Sequence, residues 1–293
     1  MITVVSAGIA TTVQDAGRPG MTRFGVGRSG AADPEAYRLA NRLVGNDDGA
    51  AVLETSGALV LEVAAAAMIA VTGAACDVTV HPGRDFDEDS RRRPVVTAVG
   101  HVAPTLVPAG AQVRVAVSRS GLRIYIAFRG GLVVQTVLGS RSRDTLAALG
   151  PVVVDGSLLP IGPDPGTPIT VDVAPRRDRD PIVRVLPGPR RDWFTEKAWQ
   201  HISSGTYVVD ASTSRVGARL TGPLLERLVP GELPSEGLVL GAIQVPHNLQ
   251  PIVMLADHPV TGGYPVIAVV HPDDVAIVAQ AAPGTMLRLV AAR

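Results

Sequence analysis

Residues 241–270 read GAIQVPHNLQPIVMLADHPVTGGYPVIAVV, which sets an amide (Gln244), a carboxylate (Asp257) and two imidazoles (His247, His258) among β-branched runs. A hairpin turn needs only two to five residues; the group Thr261, Gly262, Gly263, Tyr264 and Pro265 carries more chemistry than that. If the runs pair through PHNLQ, Gln244 and Asp257 stand at strand ends and are expected to project into one cavity. Gly262 and Gly263 let a ligand approach the backbone closely, and Tyr264 adds a hydroxyl on a flat apolar body. The plain alternative is a tight glycine hairpin with Tyr264 packed over a barrel mouth. In SRVGARLTG, Arg215 and Arg219 are four apart, an offset that shares a face on a strand and also on a helix. Two planar guanidinium forks there are expected to converge on one anion; the alternative is a solvated pair on an edge strand. Near the start of the chain, Arg18, Ser29 and Gly30 lie in a glycine-rich stretch before a helix, a setting in which backbone amides and an arginine can hold an anion. An irregular surface loop fits that stretch equally well.

Cationic usage narrows the chemistry further. Of 27 Lys and Arg residues one is lysine, Lys197. A phosphate-binding loop of the Gly-Lys-Ser type is excluded, because GSRS at 139–142 has no lysine. A Ser-Lys nucleophile lacks its base for the same reason. Glu196 and Ala198 flank Lys197 where a biotin carrier has methionines, so no covalently attached biotin is expected on this chain. The 27 cations balance 27 anions, which leaves no global field for nucleic acid or a membrane surface. The least polar run, 63–76, falls short of the roughly 18–20 residues of a membrane span, and the N-terminus lacks a signal-peptide pattern. A cytoplasmic protein is expected, with the single Cys76 as a small apolar residue at a strand end. His81, His101, His201 and His271 are scattered without ligand spacing, and no bound metal is expected.

Short alternating runs punctuated by 31 Gly and 24 Pro predict a mainly β chain of barrels or sandwiches. Helical periodicity is confined to 34–43, opened by Asp33 as N-cap and Pro34, to 191–202 and to 273–281. The charged APRRDRDP, 174–181, reads as a linker, which sets domains at 1–175 and 182–293.

The blocks TTVQDAGRPG…GVGRSGAADPEAYRLANRLVGN, FRGGLVVQTVLGSRSRDTLAALG, LPGPRRDWF, SRVGARLTG, the 241–270 stretch and VAQAAPGTMLRL run in order from end to end. Together they resemble the family of the 5-oxoprolinase C subunit, also called allophanate hydrolase subunit 2, the KipA family or the biotin-dependent carboxyltransferase family. The resemblance implies two cyclophilin-like β-barrel domains with a few short helices. It implies a KipI-like partner (the 5-oxoprolinase B subunit, or allophanate hydrolase subunit 1) and a possible third chain, the 5-oxoprolinase A subunit. ATP is expected to be bound by, or shared with, those partners. The implied activity is ATP-dependent conversion of 5-oxo-L-proline to L-glutamate by a complex in which this chain is inactive alone. Two alternatives stay open: carboxyl transfer in a biotin-dependent urea carboxylase system, and a regulatory protein that binds a kinase inhibitor. On that reading Asp257, Gln244 and Arg215 are catalytic; Arg219, Arg18, Ser29, Gly30, Thr261, Gly262, Gly263 and Tyr264 bind substrate. The chain departs from the family pattern at Thr213-Ser214-Arg215, where an aspartate often precedes the arginine, and at Leu249, where a glycine is usual.

Overall fold

Asp33 and Pro34 start the first helix as their types dictate. In the computed structural model the Asp33 carboxylate accepts from Ala36 N–H at 3.1 Å, and Pro34 takes the first turn of Pro34–Leu43. Residues 1–83, 97–175, 179–231 and 233–292 are described; the linker at 174–181 falls partly outside them. The expected 191–202 helix resolves into a short 3-10 turn, Arg191–Trp193, and a helix, Glu196–Ser204, capped by Thr195. The last one is Val275–Gln280. No helix among the described residues is long and apolar enough to cross a membrane.

The fold is mainly β and divides into two units, the first made of Met1–Gly17, Asp33–Arg143 and Leu149–Arg177. Its strands form two sheets. One runs Leu158–Leu159, Ile2–Ser6, Leu59–Val63, Gln112–Val115, Val78–His81, Thr97–Ala98; the other runs Thr12–Gln14, Val52–Thr55, Ser120–Phe128, Ala67–Ala75, Pro104–Val107. Alternation sends Ile2, Val4, Leu59 and Leu61 from the first and Leu53, Ile69, Val71 and Ile124 from the second into one apolar core. Cys76 packs on its margin, and burial pushes its thiol up to about 11. A polar relay also runs through this unit. Buried Glu54 faces Arg123 at 3.3 Å and accepts from the Tyr125 hydroxyl at 2.8 Å, while that hydroxyl accepts from the Asp33 N–H at 2.7 Å. The first helix is thereby tied to the sheet through its own N-cap residue.

The second unit comprises Asp178–Arg293 together with two earlier segments, Arg18–Ala32 and Asp144–Ala148. A single boundary at the linker therefore does not separate the units: the residues around Arg18, Ser29 and Gly30 count with the C-terminal half. Seven strands close into a barrel in the order Ile182–Pro187, Val266–Val270, Ala242–Gln244, Ile252–Met254, Gly217–Thr221, Thr206–Val209, Met286–Ala291. The ring is shut by a parallel pair between the first and last of these strands in the chain, with Ile182 opposite Arg288. Its core holds Val183, Tyr207, Leu220, Ile243, Val253 and Leu287.

Candidate functional site

The end of the barrel beyond Met254 is organised by one carboxylate. Asp257 is 0% exposed and Arg215 4%. Arg215 meets it with two nitrogens, Nε to Oδ2 at 2.9 Å and Nη2 to Oδ1 at 3.0 Å. Such a bidentate fork is the geometry a guanidinium is built for. Ser29 donates its hydroxyl to Oδ1 at 2.6 Å, and Thr145 donates both its backbone N–H, at 2.9 Å, and its hydroxyl, at 2.8 Å, to Oδ2. Arg215 also donates to the Gly30 carbonyl at 2.6 Å. Burial alone would raise the Asp257 carboxyl, but the Arg215 charge and the bonds from Arg215, Ser29 and Thr145 outweigh it and hold the group below the usual carboxylate range. Five donors fill the roughly four acceptor sites of a carboxylate. Asp257 therefore has no open face for a ligand, and its work is to hold Ser29, Gly30 and Thr145 in place. Ser29 and Gly30 both sit at positive φ, 53° and 92°. For Ser29 this is a left-handed backbone that a serine rarely adopts, and its bond to Asp257 together with the Arg215 grip on Gly30 fixes it.

The backbone explains why Asp257 meets Arg215. Gly217 pairs with Met254, and the ladder continues as Leu255 N–H donates to the Val216 carbonyl and Asp257 N–H to the Arg215 carbonyl, both at 3.0 Å. Ser214 accepts from the Val216 N–H at 3.2 Å and so shapes the turn before the strand. The carboxylate that orients Arg215 comes from position 257.

Gln244 lies at the other end of the barrel. The expected hairpin is present, with Ile243 opposite Val253 and Gln244 opposite Ile252. In an antiparallel pair, however, the last residue of one strand neighbours the first residue of the next. Gln244 thus stands beside Ile252, at the start of the strand whose far end leads on to Asp257. The expected single cavity for Gln244 and Asp257 does not form. The pairing of Arg215 with Arg219 fails as well, because Arg215 precedes the strand that begins at Gly217 and the even-offset rule does not reach it. Arg215 is buried on Asp257, whereas Arg219 points outward from Gly217–Thr221.

Around Gln244 a second group assembles. Its Nε2 donates to the Tyr264 carbonyl at 3.0 Å, and a Cβ on Gly262 would lie 2.6 Å from that nitrogen and 2.8 Å from Leu238 Cδ1, so the amide packs where Gly262 has no side chain. Thr261–Gly262 pairs with Glu236–Gly237, and Arg190 clamps Glu236 with two nitrogens. Tyr264 is 41% exposed, and its ring meets His247 edge-on with centroids 5.9 Å apart. Arg227 donates to the Val245 carbonyl, and Val245 N–H donates to the Pro265 carbonyl at 3.2 Å. Amide, phenol, imidazole and guanidinium thus cluster on a glycine wall, a set suited to the edge of a planar amide or to a carboxylate. Gly263 and Thr261 complete the wall; buried Arg18 instead closes its own loop, its N–H on the Arg28 carbonyl at 2.7 Å. His258 turns its Nδ1 to the Pro259 carbonyl, 2.8 Å away. Among the described residues no three His, Cys, Asp or Glu side chains gather as a metal site.

Thr145 and Arg227 escape sequence reasoning. Thr145 lies in SRDTLAALG, where only the order of family blocks points, and Arg227 in LLERLV carries no pattern beyond a charge among leucines.

Residues 24–291 match the family described as the carboxyltransferase domain, subdomain A and B. The C subunit of the 5-oxoprolinase of Escherichia coli (strain K12) is 34% identical over 295 residues, 99% of this chain and 91% of that protein. The urea amidolyase of Saccharomyces cerevisiae is 28% identical over 317 residues, which is 99% of this chain but 16% of that far longer protein. Among solved structures, the Kluyveromyces lactis urea carboxylase superposes with a TM-score of 0.86 and 26% identity, over all of this chain and 27% of that one.

Proposed function

Since the chain belongs to the family of the carboxyltransferase domain, subdomain A and B, we propose that it is one component of an ATP-dependent amide-processing complex that opens 5-oxo-L-proline to L-glutamate. The observation that carries this reading is the likeness to a 5-oxoprolinase subunit over 91% of that protein's length. A KipI-like chain, and with it a counterpart of the 5-oxoprolinase A subunit, would complete the assembly in the cytoplasm. Lactam hydrolysis is slow because the amide is resonance-stabilised. ATP supplies the activation by phosphorylating the carbonyl oxygen; one water adds to that carbon and the C–N bond breaks, with the nitrogen taking a proton, to leave an acyl phosphate, and a second water then releases inorganic phosphate and the new carboxylate. The one lysine of the chain is exposed on Glu196–Ser204, so ATP falls to the partner subunits or to arginines shared with them. On this reading Gln244 and the wall Thr261–Tyr264 hold the lactam edge, and Tyr264 and His247 shield one face of it. Asp257, Arg215, Ser29 and Thr145 act as positioning residues for the opposite end of the barrel.

Co-expression with the genes of the partner subunits, followed by an assay of ATP-dependent glutamate formation, tests the function; a purified complex that forms no glutamate refutes it. Gly262→Ala tests the wall. The added methyl displaces the Gln244 amide, a flexible side chain, so turnover should fall at least about tenfold while the melting temperature changes by no more than about 2–4 °C. Unchanged turnover would remove Gln244 from the site.

The likeness to urea carboxylase favours a second reading, carboxyl transfer from carboxybiotin to a urea-like acceptor. It requires biotin on another chain, and labelled streptavidin applied to the purified complex separates the two: a biotinylated partner supports transfer.

A further inference from the structure

Four arginines of the barrel unit face an acid. Arg215 is held by Asp257, Arg190 by Glu236, Arg184 by Asp274 and Arg191 by Glu196. Arg227 differs. It is half-buried, and among the described residues it has no acidic partner; its one hydrogen bond runs from Nη2 to the Val245 carbonyl, and its Nε is buried with no partner at all. A guanidinium stays charged near neutrality, and a partly desolvated charge with no counterion is costly to keep. Burial accordingly pulls its pKa below the ordinary arginine value, with the nearby Tyr264 opposing that shift.

Its backbone is pinned. Phe194 bridges Arg227, Leu225 N–H donates to the Leu249 carbonyl at 3.1 Å, and Leu228 N–H to the Trp193 carbonyl at 2.7 Å. The side chain is thereby fixed at the Gln244 end of the barrel, where Val245 follows Gln244 and bonds to the residue after Tyr264. A fixed cation with no anion among the described residues, next to an amide and an exposed phenol, has the makings of a half-site.

We propose that Arg227 anchors the carboxylate of the substrate, and that this end of the barrel selects small amides bearing an acid group over the same amides without one. The proposal rests on the amide-processing function and adds to it the chemical class selected and the residue that selects. Arg215 and Arg219 are thereby relieved of that role, one by its commitment to Asp257 and the other by its outward direction.

The test uses the co-purified complex with 5-oxoproline and with 2-pyrrolidinone, the same lactam without the carboxylate. Arg227→Gln should raise the KM for 5-oxoproline about ten- to hundredfold, the effect of losing one charged hydrogen bond, while kcat changes by less than about threefold. Inhibition by 2-pyrrolidinone should not change. Arg227→Lys, which keeps the charge and loses the fork, should recover part of the loss and guards against a folding defect. A residue that merely braced Val245 would move thermal stability and leave the preference between the two lactams intact; that outcome overturns the proposal. If the wild-type complex turns over no 5-oxoproline, the functional reading fails, and calorimetry on the full chain decides the anchor separately. Tighter binding of 5-oxoproline than of 2-pyrrolidinone, erased by Arg227→Gln, upholds the anchor, and equal binding of the two overturns it.

Discussion

Asp257→Ala should destabilise the barrel unit by about 3–5 kcal/mol, the usual cost of removing one partner of a buried ion pair. The loss exceeds that of an ordinary hydrogen bond because Arg215 remains buried at 4% exposure without the carboxylate opposite it. Ser29 and Thr145 lose their acceptor at the same time. Denaturant unfolding measures the change. Arg219→Ala is the control: the side chain points outward, and its removal should shift stability by no more than about 0.5 kcal/mol. Equal effects of the two substitutions would refute the organising role of Asp257.

The same carboxylate sets a pH dependence. Its folded pKa is held below the unfolded value of about 3.9. Its contribution is therefore fully present above about pH 4 and is lost as pH falls through the folded value. Stability measured from pH 6 downward should fall in that acid range. Asp257→Asn should flatten this part of the curve, and a variant as acid-sensitive as the wild type would assign the sensitivity to other groups.

Glu54→Ala carries the other large effect, again about 3–5 kcal/mol, this time in the first unit. Two buried groups lose one acceptor: Arg123 at 3.3 Å and the Tyr125 hydroxyl at 2.8 Å. The Tyr125 hydroxyl also accepts from Asp33, so the damage should spread to Pro34–Leu43. Hydrogen exchange reads this directly. Protection in that helix should fall more than in Ala67–Ala75, and uniform loss would show that the relay does not position the helix.

Residue types alone foretell much of this architecture. Asp33 and Pro34 mark a helix start because their side chains act within one turn, and the apolar runs at 242–244 and 252–254 mark a hairpin because the connection between them is short. The site resists such reading because its geometry depends on where strands begin and which way they run. Arg215 and Arg219 share parity in the sequence, but the strand starts at Gly217, between them. Gln244 and Asp257 both stand at strand ends, but at ends that antiparallel pairing sends apart. Thr145 reaches Asp257 across 112 positions, and no local pattern encodes that distance. Arg227 is conspicuous only for the acid it lacks among the described residues, a property invisible until its neighbours are placed.

The bond between Ser29 and Asp257 spans 228 positions. A ribosome adding roughly 5–20 residues per second exposes the left-handed serine loop about 10–50 s before its carboxylate leaves the exit tunnel. Ring closure by Met286–Ala291 comes later still. During each round of translation the glycine-rich loop around Ser29 is therefore an unfinished surface, open to chaperones and proteases until Asp257 and the closing strand have been made.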